Sequence, residues 1–218
     1  MLQLHYFPSN ASMAPHMLLE EIGAPFELRL VDRARGEHKS PEYLRLNPNG
    51  LIPVLIDRRG AGEPLVLYET AAICLHLADT HPAAGLAPPL RSAARAHCYK
   101  WLAWLSNTLQ PDLIVYYYPE RWADDAAAVA QVKAHAEQRI GTLLEQLDAA
   151  LSGHGREWLL GDEYSCVDPY ALMLCRWTRS FTRPARSWPA LGAYLQRVLA
   201  RPAVRRVFEK EGLPQPWV

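Results

Sequence analysis

The 218-residue sequence has no surplus of either charge, because 23 Lys and Arg are balanced by 23 Asp and Glu. A neutral chain has no net field to concentrate polyanions, which argues against nucleic acid or an anionic membrane surface as a partner. Long apolar runs are also missing: polar or charged residues interrupt each one well short of the roughly 18 residues a membrane span needs. The first residues carry neither a basic stretch nor the apolar core of a secretory signal, so the expected location is the cytoplasm. Cysteine is scarce, and Cys74, Cys98, Cys166 and Cys175 form no CxxC pair. Three of them fall in apolar helical patterns, which points to buried reduced thiols rather than a disulfide or metal set. Eight histidines are equally scattered, without HxxxH or HExxH spacing, so no metal site is expected.

Apolar residues are plentiful, at 50% of the chain, enough for one large domain or two modest ones. Leu2, Leu4 and Tyr6 alternate as in a strand. Met13, Met17, Leu18 and Ile22 then recur at helical spacing up to Gly23, a helix stop. FELRLV (26–31) reads as a second strand, parallel to the first because a crossover helix joins them. PEYLRL (41–46) is at most a short helix. After the turn signal Asn47-Pro48-Asn49-Gly50, PVLID and LVLY read as an antiparallel pair, and helical spacing returns over 69–79. The proline-rich HPAAGLAPPL is a linker. Beyond it the pattern is helical at 93–109, 126–151, 167–181, 190–199 and 203–209. The expected organisation is an α/β domain over 1–81, a linker over 82–90 and an all-α helical bundle over 91–218. The basic RPAVRR segment (201–206) is expected only to solvate a terminal helix.

Three local sequences carry further information. Ile52-Pro53 opens a strand although proline cannot donate to a ladder, which fits the edge of a turn or a cis bond. Glu69-Thr70 stands at a helix start, where free N–H groups and the helix dipole favour a carboxylate; by local sequence alone a plain cap is the favoured reading. Ser165-x-x-Asp168 is a capping box with a folding role, worth about 1 kcal/mol.

Taken in order, NPNGLIPVL (47–55), LYETAAICLHLAD (67–79) and SCVDPYAL (165–172) resemble the signatures of the cytosolic glutathione transferases, and the resemblance spans the whole chain. It implies a thioredoxin-like first domain followed by a helical domain, with glutathione as co-substrate and a homodimer as the assembly. By this resemblance Pro53 is cis and Ile52 pairs by its backbone with the cysteinyl part of glutathione. Glu69 and Thr70 hold the γ-glutamyl end, and Lys39 reaches the glycyl carboxylate. The same family places the group that activates the thiol just after the first strand, where different classes use Tyr, Ser or Cys.

Here that stretch, YFPSNASMAPH, is most similar to the bacterial beta-like pattern Tyr-x-Pro-Gly-Ala-Cys-Ser, with Ala11 where the class has its cysteine. Alanine can neither donate nor form a mixed disulfide, so the donor must be a neighbour. A cysteine-type thiol has a pKa of about 8.5, so complete ionisation is worth only about 2 kcal/mol at neutral pH. One hydrogen bond to the charged sulfur supplies that. The candidates are Ser12, then Asn10, then Ser9, each of which is also a favoured helix cap. Tyr6 stands behind them as a glutathione-binding residue. Where the class pattern has His and Lys, this chain has Gln110 and Pro111. Trp177 matches the class tryptophan, and with Gln110, Tyr116 and Tyr117 it is a candidate lining for a pocket that takes a small apolar electrophile; Trp122 is a further aromatic there. The implied reaction is conjugation of glutathione to that electrophile, as in detoxification. The alternatives are a glutathione-dependent disulfide or peroxide reductase and a non-catalytic ligand- or protein-binding relative.

Overall fold

The structure, a computed structural model, describes residues 1–218. Its backbone separates into two compact units: residues 1–87 together with 200–214, and residues 88–199 together with 215–218.

The first unit is built on a four-stranded sheet of order β2-β1-β3-β4, from β1 (Leu2–Tyr6), β2 (Phe26–Leu30), β3 (Val54–Asp57) and β4 (Leu65–Tyr68). β1 pairs parallel with β2 and antiparallel with β3, and β3 pairs antiparallel with β4. The βα order dictates this, since a crossover helix forces a parallel pair and a short loop an antiparallel one. Helix α1 (Met13–Ile22) makes that crossover and stops at Gly23, which takes the left-handed conformation at φ 70°. Helix α2 (Pro41–Leu44) is one turn long, and α3 (Thr70–Thr80) follows β4 directly.

Alternation along the strands divides the core. Val54 and Ile56 join Val31, Tyr43 and Ile52 in one cluster, while Leu4 and Leu55, opposite each other in register, are fully buried on the other face. The last helix, α9 (Pro202–Lys210), packs against α1 and clusters with this unit, not with the helices that precede it in sequence. Its basic residues do more than solvate it. Arg201 forks onto the Glu21 carboxylate, with Nη2 at 2.9 Å, and Arg206 Nε donates to Glu20 at 2.8 Å. Lys210 donates to the same Glu20. Burial raises the Glu20 pKa, but the bonds from Arg206 and Lys210 outweigh it and the net shift is downward.

The second unit is helical: α4 (Ala93–Trp104), α5 (Gln110–Tyr117), α6 (Ala126–His154), α7 (Val167–Arg176) and α8 (Pro189–Ala200). The pattern over 93–109 ends in a π-helical turn at Leu105–Leu109 and continues directly into α5, whose Pro111 falls in the first turn, where a missing N–H costs nothing. Every residue of α7 is buried, so it is the central helix. Its start is fixed by Asp168, which accepts bonds from the Ser165 and Leu159 backbone N–H groups at 2.7 and 3.1 Å and from the Tyr194 hydroxyl at 2.8 Å. No helix is long and apolar enough to cross a membrane.

Candidate functional site

The strand register gathers the sequence motifs. His5 lies opposite Val54 and Val54 opposite Tyr68. The residues just beyond these partners therefore meet at one end of the sheet: the loop after Tyr6, Ile52-Pro53 before Val54, and Glu69-Thr70 after Tyr68. The chain leaves this end through the first turns of α1 and α3, so two helix N-termini border it.

In the loop from β1 to α1, Ser9 adopts φ 61°, a left-handed conformation uncommon outside glycine. The Asn10 N–H donates to Phe7 O at 3.2 Å, and Asn10 Oδ1 accepts the Ala11 N–H at 2.8 Å, which leaves the Asn10 NH₂ as the free end of that amide. Ala11 is buried and supplies no polar atom. Ser12 occupies the helix N-cap position, but its hydroxyl does not cap. It is fully buried, donates to Phe7 O at 3.1 Å and accepts the Phe7 N–H at 3.2 Å. A hydroxyl has one proton, and here Phe7 takes it. These two bonds tie Ser12, the first candidate from sequence, to the start of the loop. Tyr6 is half-buried, with its ring 6.0 Å edge-on from that of His16.

The second segment is tightly held. Ile52-Pro53 is a cis peptide. The carbonyl before it, Leu51 O, accepts bonds from Asn47 Nδ2 at 2.8 Å and Tyr43 Oη at 2.9 Å. Asn47 also accepts the Asn49 N–H at 3.0 Å through Oδ1, so both ends of this buried amide are used. Lys39 Nζ donates to Asn49 O at 3.1 Å and lies over Gly50, where an added Cβ would meet it at 2.7 Å and His38 O at 2.8 Å. Gly50 also has φ 59°, so only glycine fits. Beneath the loop His5 is buried against Tyr43, and burial lowers its pKa to about 4 while raising that of Tyr43.

In the third segment Glu69 has φ 73° and ψ 114°, an outlying conformation for a side-chain-bearing residue. Its carboxylate is exposed and makes no cap bond, and Thr70, the first residue of α3, is buried. A strained residue held in this way at the mouth of a helix marks a candidate binding position.

The second-unit candidates form a ladder between α5 and α7. Tyr170 Oη donates to Gln110 Oε1 at 2.5 Å, and seven residues further along each helix the Tyr117 hydroxyl donates to the Trp177 carbonyl. The carbonyl end of Gln110 is therefore committed to packing. Tyr116 stacks on Phe181 at 4.1 Å, the Trp177 ring is buried with Nε1 unpartnered, and Trp122 is exposed. None of the four cysteines forms a disulfide, all are buried, and burial pushes Cys175 up to about 12.

Two family models cover most of the chain: the glutathione S-transferase N-terminal domain over residues 8–80 and its C-terminal domain over residues 107–202. The chain belongs to the glutathione S-transferase family. Glutathione S-transferase GST-4.5 of Xanthomonas campestris is 33% identical to this transferase over 97% of the chain and 100% of its own length. A sphingomonad glutathione S-transferase solved in complex with glutathione superposes with a TM-score of 0.83 at 32% identity, over 97% of this chain and 100% of that one. The disulfide-bond oxidoreductase YfcG of Escherichia coli is 28% identical over 98% of this chain and 97% of its own.

Two residues that hold the transferase's β1–α1 loop from outside it, Glu211 and His16, were not legible in sequence. Glu211, immediately after α9, accepts the Ser9 N–H at 2.9 Å through Oε2 and the His16 Nδ1–H at 2.8 Å through Oε1. Both side chains are fully buried. Nothing in the local pattern EGLP marks Glu211 as internal, because only the docking of α9 on α1 brings it there.

Proposed function

We propose that this transferase binds glutathione across the end of the sheet described above and activates its thiol with Asn10. The observation that carries the reading is the convergence of three segments: the cis Ile52-Pro53 bend, the strained Glu69-Thr70 entry to α3, and the β1–α1 loop. Glutathione is a γ-linked tripeptide with two carboxylates and one ammonium. Thr70 and the first N–H groups of α3 suit its α-carboxylate, and Glu69 suits its ammonium. The backbone of Ile52 is offered to the cysteinyl unit, and Lys39 is the cation for the glycyl carboxylate. This seats the sulfur near the start of α1. Asn10 then donates an amide N–H to the thiolate, while Ser12 locks the loop and Ser9 sets its backbone.

With the thiolate formed, the sulfur attacks an electrophilic carbon and the leaving group departs with the bonding pair. We place the small apolar electrophile at Tyr116, Tyr117 and Trp177, with the Gln110 amide at the edge, and take the active species to be a homodimer in the cytoplasm, where the four buried cysteines would stay reduced. Calorimetric titration with glutathione, followed by ultraviolet titration of the bound thiolate in the wild type and Asn10→Ala, tests the assignment. A bound thiol pKa well below the free value, lost in Asn10→Ala, is expected.

A second reading is favoured by the burial of every cysteine together with the likeness to a disulfide-bond oxidoreductase. In it the glutathione thiolate attacks the sulfur of a glutathione mixed disulfide, yielding glutathione disulfide and a free thiolate, and no protein thiol takes part. Turnover of a glutathionylated substrate without turnover of aryl halides would select this reading.

A further inference from the structure

The β1–α1 loop is held from an unexpected direction. Ser9 has a left-handed backbone at φ 61°, which a side-chain-bearing residue adopts only against a steric cost. Its N–H donates to Glu211 Oε2 at 2.9 Å. The same carboxylate is bonded through Oε1 to His16 Nδ1, and because an ionised carboxylate only accepts, that nitrogen carries the proton. The His16 ring is wedged between Tyr6 and Phe26, with centroids at 6.0 and 5.9 Å, which fixes its direction. Glu211 follows a helix tied down by the Arg201–Glu21 and Arg206–Glu20 ion pairs. A buried carboxylate with one oxygen on a ring in α1 and the other on a strained backbone amide is poorly explained by stability alone, since breaking such a set leaves a buried charge, whereas apolar packing would avoid it.

We infer that Glu211 is a positioning residue for the thiol-activating loop: clamped by His16, it holds the left-handed turn at Ser9 and thereby aims the amide of Asn10. The inference rests on the glutathione-binding reading given above. Glu211 touches neither the sulfur nor the electrophile in this account and acts only through the Ser9 backbone.

The test is the pKa of the bound glutathione thiol, read by ultraviolet titration, with glutathione affinity measured by calorimetry and folding checked by circular dichroism and thermal melts. In folded Glu211→Ala the turn at Ser9 relaxes, and the pKa of the bound thiol rises by about one unit, which lowers the thiolate-to-thiol ratio about tenfold. Affinity changes by less than about threefold, because the Ile52, Glu69 and Thr70 seats are untouched and this is well under 1.4 kcal/mol. Glu211→Gln, whose amide oxygen accepts the Ser9 N–H while its NH₂ donates to His16 Nδ1 in the other tautomer of the ring, retains most of the shift. Ser9→Gly in the Glu211→Ala background restores it, because glycine takes φ > 0 unaided. If Glu211→Ala does not fold, Glu211→Asp, whose carboxylate falls short of Ser9, is read in its place. A wild-type thiol that binds but is not shifted overturns both this inference and the thiolate-activation reading. A shifted wild type with an unchanged Glu211→Ala, or a double variant that stays unshifted, overturns this inference alone.

Discussion

Val54 of β3 lies opposite Tyr68 of β4, and this one register sets Ile52-Pro53 and Glu69-Thr70 at the same end of the sheet. A slip by one residue would turn Val54 and Ile56 out of their core cluster, so the burial that selects the register also builds the candidate site.

The carbonyl of Leu51 is held by two side-chain donors, Asn47 Nδ2 and Tyr43 Oη. Asn47→Ala removes one of these and also frees the Asn49 N–H. We expect a loss of about 2 kcal/mol in denaturant unfolding and weaker glutathione binding by calorimetry. Tyr43→Phe removes a single bond and should cost about 1 kcal/mol.

Ser12 and Asn10 should separate cleanly. Ser12→Ala leaves the Phe7 N–H and C=O without their partner and is expected to cost about 1–3 kcal/mol in stability, with the thiol pKa of bound glutathione unchanged in the folded protein. Asn10→Ala should raise that pKa, at a cost of about 1 kcal/mol in stability because the Ala11 N–H loses Asn10 Oδ1.

Much of this was legible in sequence. Period-2 alternation marked Leu2, Leu4 and Tyr6, Gly23 marked the end of α1, and Ile52-Pro53 marked a bend. What local pattern could not show were the partners brought by tertiary packing. Ser12 has the chemistry of a cap, yet its hydroxyl turns back to Phe7; Arg201 and Arg206 looked solvated, yet they pair with Glu21 and Glu20. Glu211 is the extreme case, about 200 residues away in sequence from the Ser9 amide it holds.

Asp168 illustrates how burial enlarges a local motif. Besides the expected capping bond, it accepts from Leu159 N–H and the Tyr194 hydroxyl and is fully buried. Asp168→Ala should therefore cost more than a simple cap, about 3 kcal/mol or above. Glutathione affinity of the folded fraction should be unchanged by calorimetry.

His5 gives a pH signature. Burial lowers its folded pKa to about 4, whereas the unfolded chain titrates near 6.5. Between those values the unfolded state binds more protons, so the His5 contribution is fully present above about 6.5 and is lost as pH falls toward 4. Denaturant midpoints for the wild type and His5→Gln, compared across this range, should show the wild type losing stability relative to the variant on acidification.

The most direct measurement is the ultraviolet titration of the glutathione thiol in complex with the wild-type protein. A cysteine-type thiol free in solution titrates near about 8.5. A bound value lower by at least about 1.5 units is expected, which makes the thiolate half or more of the population at neutral pH. Glutathione that binds with its thiol pKa unmoved, or that does not bind, would contradict it.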